Sequence, residues 1–153
     1  MAGTSPQQPI GGHAVQFARM ERAFERAKNM ATDRITGKDE LVSFFMHAWH
    51  LKDHVKNDST LSDSIQKKVV SAAHASPILQ VCRDVANGLK HFCTKPSTLT
   101  GGRTIVAVAG GSVTFYLVIS MNDGTERRGL ELAGEICGAW RDIFVSEGLS
   151  IPT

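Results

Sequence analysis

The sequence predicts an α+β fold: a bundle of four or five helices with a small antiparallel β-hairpin before the last helix. Three observations carry the prediction. Apolar residues recur every three or four positions along most of the chain, a β-branched and aromatic stretch interrupts that period only between residues 104 and 119, and helical spacing returns from Leu130. The chain has 153 residues, 42% of them hydrophobic, which is material for one substantial core. We therefore expect a single domain over residues 13–153. Residues 1–12, polar and small with Pro9 and Gly11-Gly12 and without periodicity, are expected to form a flexible arm.

From Ala14 to Ala31 the residues Phe17, Met20, Phe24, Ala27 and Met30 mark one face of an amphipathic helix. A second helix is expected after Gly37-Lys38-Asp39 and up to Lys56, where Leu41, Phe44, Ala48, Leu51 and Val55 form a stripe widened by Val42, Phe45 and Trp49. So broad an apolar face suits a central helix. Asn57 to Thr60 breaks the pattern, and Ser62 or Asp63 caps a shorter helix with Ile65, Val69 and Val70. Ser76-Pro77 starts a fourth, because serine caps orphan amides and proline is pre-organised for the first helical position. Its buried stripe is expected at Ile78, Cys82, Val85, Leu89 and Phe92, with a stop at Lys95-Pro96. Thr104–Val108 and Ser112–Ile119, joined by Ala109-Gly110-Gly111, read as the hairpin. A turn at Asn122–Thr125 leads to a third short strand around Arg127 or Arg128. The last helix, Leu130 to Ser146, aligns Leu132, Ile136, Trp140 and Phe144, and Gly148 stops it.

Composition excludes several classes of function. With 17 Lys and Arg against 15 Asp and Glu, the chain has no large basic surface of the kind that drives sequence-independent nucleic-acid binding. Cys82, Cys93 and Cys137 are odd in number, widely spaced and set among apolar residues, so they read as three reduced core thiols. No stretch reaches the roughly 18 apolar residues of a membrane span, and no charged segment precedes an apolar run at the N-terminus, so no membrane association and a cytoplasmic location are expected. Gly101-Gly102 and Gly110-Gly111 lack a Walker lysine and dinucleotide spacing, and are expected to be turns.

Two clusters can carry chemistry. In the first, His47, His50 and His54 share a stripe with Ser43 beside the apolar face of the second helix. His50 and His54, at i and i+4, can clamp a divalent metal, with a carboxylate or His91 from a neighbouring helix as a further ligand. Such histidines can equally be hydrogen-bonded edge residues. The stripe is expected to lie at a helix–helix boundary, with His50 or His54 within hydrogen-bonding reach of the Ser76–Phe92 helix. In the second cluster Arg83, Asn87 and His91 follow at i, i+4 and i+8 as a polar ridge, with Lys90 and Asp84 in support. Arg83 can hold a phosphate and His91 can transfer a proton. The plain alternative is a solvated helix face. Asn87-Gly88 argues mildly against it, since both are poor residues for a helix interior.

A helical bundle with Arg, Asn and His along one helix resembles the HEPN superfamily, over Asp39 to Phe92. The resemblance implies a metal-independent ribonuclease or RNA-binding protein in a toxin or defence setting, without a cofactor, its site in a cleft between the two protomers of a homodimer. Arg83 would then hold the scissile phosphate, His91 transfer a proton and Asn87 support them. The interval from Arg83 to His91 is longer than in the family motif, and a hairpin and a further helix follow it. Two other readings stay open: a non-catalytic module that binds a protein partner, and a His-coordinated metal protein.

Overall fold

The computed structural model describes residues 12–29, 34–91, 99–109 and 112–152, and of residues 34–36, 89–91, 99–109 and 112–116 the backbone alone. Apart from Gly12, the expected arm lies outside the described residues, as do Cys93, Phe92 and the Lys95-Pro96 stop. The described elements are α1 (His13–Asn29), α2 (Arg34–Lys56), α3 (Asp63–Ala75), α4 (Pro77–His91), β1 (Leu99–Ala109), β2 (Ser112–Met121), β3 (Glu126–Arg128) and α5 (Gly129–Ser146). The fold is mainly helical α+β, with an antiparallel hairpin ahead of the last helix.

Local chemistry accounts for most of the boundaries. Ser62 Oγ accepts from the Ile65 amide at 3.2 Å and caps α3, and Ser76 Oγ accepts from the Leu79 amide at 3.4 Å ahead of Pro77 at the start of α4. At the end of α5, Gly148 takes the left-handed conformation (φ 72°) and the Leu149 amide reaches back to the Phe144 carbonyl at 2.8 Å, which satisfies a terminal carbonyl. The sheet order is β1-β2-β3, all antiparallel, with Ala109 opposite Ser112 and Ile119 opposite Arg127. Asp123 Oδ1 accepts from the amide and hydroxyl of Thr125, and Gly124 (φ 87°) lets the chain reverse between β2 and β3.

Two expectations needed correction. Helix α2 starts at Arg34, ahead of Gly37. One glycine costs about 1 kcal/mol in a helix, too little to end one whose following turns are packed. Strand β1 starts at Leu99, so Gly101-Gly102 lies in the strand and not in a turn; the register shifts between Leu99 and Gly101, the irregularity that glycine accommodates. On α4 Cys82 and Val85 are buried and Ile78 packs against the core as expected, with Leu79, Val81 and Ala86 also buried; the Leu89 side chain and Phe92 lie outside the described residues. The apolar face is broad because α4 meets α2, α3 and α5 at once.

Helices α2 and α5 form the axis of the core. Each packs against all the other helices and against β2. Phe44, Phe45, Ala48 and Leu51 of α2 and Leu132, Ile136, Trp140 and Phe144 of α5 are wholly buried, and Phe17 and Met20 of α1 close over them. Gly129 begins α5 so close to α2 that a Cβ there would lie 2.5 Å from Leu41 Cδ2 and 3.3 Å from the Leu117 carbonyl.

Cys82 and Cys137 are free thiols inside this core. Burial raises both thiol pKa values, that of Cys137 up to about 12, so neither forms thiolate near neutral pH. In the native protein a disulfide reagent should modify both at least about 100-fold more slowly than after denaturation. Prompt modification of two or more thiols under native conditions would contradict their placement.

Candidate functional site

Helix α4 presents the first predicted cluster. Arg83 is about one-third exposed, its Nε–H donating to Oδ1 of Asp84 at 2.8 Å, while the Asp84 carboxylate is 6% exposed. The adjoining carboxylate holds the guanidinium plane through this hydrogen bond. Asn87, one turn further on, is exposed. Asp84, expected in support of the ridge, turns into the fold and accepts from Arg83. The side chains of Lys90 and His91 lie outside the described residues, so the structure brings together Arg83, Asp84 and the position of Asn87.

The histidines of α2 have separate surroundings. His47 does lie at a helix boundary, but the helix across it is α1: Gln16 Nε2 is 3.3 Å from His47 Nδ1 and donates to the His47 carbonyl at 3.1 Å. The hydrogen bond of His50 stays on its own helix, its Nδ1 lying 3.2 Å from Oδ2 of Asp53. Helix α4 packs on α2 with Cys82 Sγ 3.6 Å from the Phe45 carbonyl. Among the described residues no three His, Cys, Asp or Glu side chains are grouped to hold a metal ion, and the expected His50–His54 clamp gains no third ligand there.

Lys52, largely covered, donates to Asp53 Oδ1 at 2.7 Å and lies 4.6 Å from the Trp49 ring centre. Burial raises the Asp53 pKa, and the hydrogen bonds from Lys52 and His50 outweigh it, leaving the carboxyl below its ordinary value. Asp53 thus remains ionised and orients the His50 ring.

Sequence reasoning missed Asp58, a buried carboxylate that receives four hydrogen bonds. Its Oδ2 accepts from the backbone amide of His13 at 3.0 Å and lies 2.6 Å from His13 Nδ1, while its Oδ1 accepts from the amide and hydroxyl of Thr60. In the sequence it reads as one member of a turn; only its distance to His13 marks it out.

No family model matches the chain, and neither a curated protein nor a solved structure is significantly similar to it. Among the described residues no helix is long and apolar enough to cross a membrane.

Proposed function

We propose that this protein binds RNA and cleaves it without a metal, in the manner of the HEPN-like domains its α4 ridge resembles. The observation that carries the reading is Arg83 braced by buried Asp84. A carboxylate in that position commits the Nε–H and sets the plane of the guanidinium, whose remaining fork matches two phosphate oxygens. Asn87, one turn away, offers an amide to the same ligand, and His91, a further turn along, supplies the proton-transfer group. Pairing of two α4 helices across a homodimer would complete the site.

The test is a cleavage and binding assay on single-stranded RNA with wild type, Arg83→Ala, Arg83→Lys, Asn87→Ala and His91→Ala, each with and without chelator. Arg83→Ala and His91→Ala should lower cleavage by about 10²-fold or more, the usual worth of a positioned acid–base or charge-stabilising group. Arg83→Lys should keep part of the binding and little of the cleavage, since a point charge lacks the fork. Asn87→Ala, at an exposed position, should leave stability within about 0.5 kcal/mol of wild type, whereas Arg83→Ala removes a partner of buried Asp84, so urea unfolding of each variant separates lost activity from lost fold. Wild type that neither binds nor cleaves RNA would overturn the reading and favour a protein-binding module; activity abolished by chelator would favour the metal reading.

A further inference from the structure

The sheet has two edges, and their composition differs. The outer strand β3 is three residues long and all three are charged, Glu126, Arg127 and Arg128. Brevity and charge keep an edge from pairing with another chain. The opposite outer strand, β1, has eleven residues, no proline and a single charge, at Arg103. Its register with β2 is uninterrupted from Gly101 to Ala109, the one irregularity lying at its start, between Leu99 and Gly101. Neither bulge, nor proline, nor charge therefore guards the run Thr104–Ala109. Among the described residues no strand lies on the far side of β1, which leaves a row of backbone N–H and C=O groups there for a further strand.

The sequence of this run suits a copy of itself. A twofold axis sets a strand antiparallel to its own copy, so that every contact is made twice. Centred on Val106, such pairing places Ile105 opposite Ala107, Thr104 opposite Val108 and Arg103 opposite Ala109. Apolar and β-branched residues then meet across the axis, and the one charged residue of β1 does not face its own copy. Among the described helices α4 alone contacts β1, so the two chains would meet beside it.

We infer that β1 is the edge through which two copies of this chain associate, their β1 strands pairing antiparallel about Val106 so that the two three-stranded sheets become one. The main chain supplies the hydrogen bonds, and the alternating residues of Thr104–Ala109 set the register. The association needs no RNA and stands or falls apart from the proposed cleavage.

The experiment is analytical ultracentrifugation of the full chain at protein concentrations from about 1 μM to about 1 mM, the range in which an interface of modest size forms and dissociates. Wild type should pass from monomer to dimer with a Kd of about 100 μM or tighter. Ala107→Lys puts a charge on the edge, on the face of Thr114 and so opposite to the face of Leu117, which packs on the core. It should weaken the dimer at least about tenfold, whereas Ala107→Thr, a β-branched residue in the same place, should keep Kd within about threefold of wild type. Should the lysine variant fail to fold, hydrogen exchange of wild type still decides. The amides of Arg103–Ala109 that are not bonded to β2 should exchange more slowly at the high concentration than at the low, while those of β3 should not change. A chain that stays monomeric at about 1 mM, a dimer of unchanged Kd in folded Ala107→Lys, or β1 amides whose exchange ignores concentration would overturn the inference.

Discussion

Asp58→Ala should destabilise the protein by about 2–4 kcal/mol, the sum expected for a lost helix cap and charge-assisted hydrogen bonds at a buried carboxylate. Asp58 is 8% exposed and receives four hydrogen bonds, two from His13 at the first turn of α1 and two from Thr60 after α2. It caps α1 from 45 residues away and holds the first helix onto the α2–α3 connection. Asp58→Asn should cost nearly as much, because an NH2 group in place of either oxygen would face donors. Burial raises the Asp58 pKa, but the hydrogen bonds from Thr60 and His13 overcome it and hold the carboxyl far below the usual carboxylate range. A depressed folded pKa means that the stabilisation is complete above the unfolded pKa of about 4 and is lost as pH falls below it. Urea unfolding of wild type and Asp58→Ala at a series of pH values should therefore show a gap that narrows below about pH 4. A gap that widens on acidification would contradict this account, as would equal stability at neutral pH.

Trp140→Ala should cost about 3–5 kcal/mol, a large share of the 5–15 kcal/mol that ordinarily separates folded from unfolded chains. The Trp140 ring is wholly buried between α5 and α2, stacks edge-on against Phe144 with centroids 6.0 Å apart, and donates from Nε1 to the Ala48 carbonyl at 3.0 Å. Trp140→Phe should cost less, about 1–2 kcal/mol, because the Ala48 carbonyl keeps its helical partner and only the second hydrogen bond and part of the volume are lost. Thermal melts of the three proteins should order them wild type, Phe, Ala. An alanine variant melting within a few degrees of wild type would show that α5 does not hold the core together.

Helix faces were legible because burial of an amphipathic helix leaves a period that needs no knowledge of the partner: Phe17, Met20 and Ala27 on α1, or Leu132, Ile136 and Trp140 on α5, are buried as their spacing demands. Caps were legible for the same local reason, Ser62 and Ser76 acting on amides three residues away. The His47–His50 stripe was visible as a stripe, but which helix it would meet was not. Period locates a flank and leaves the neighbour open, and at His47 that neighbour is α1.

Element types and their order follow from 3.6- and 2-residue periods and from turn residues within a few positions of one another, and so can be read along the chain. Asp84 beneath Arg83, Asp58 capping a helix 45 residues away and Gln16 of α1 against His47 of α2 emerge only from packing. These are contacts of a few ångströms between groups distant in the chain or turned by packing, and hydrogen bonding and charge depend on such distances, whereas periodicity depends only on position along the chain.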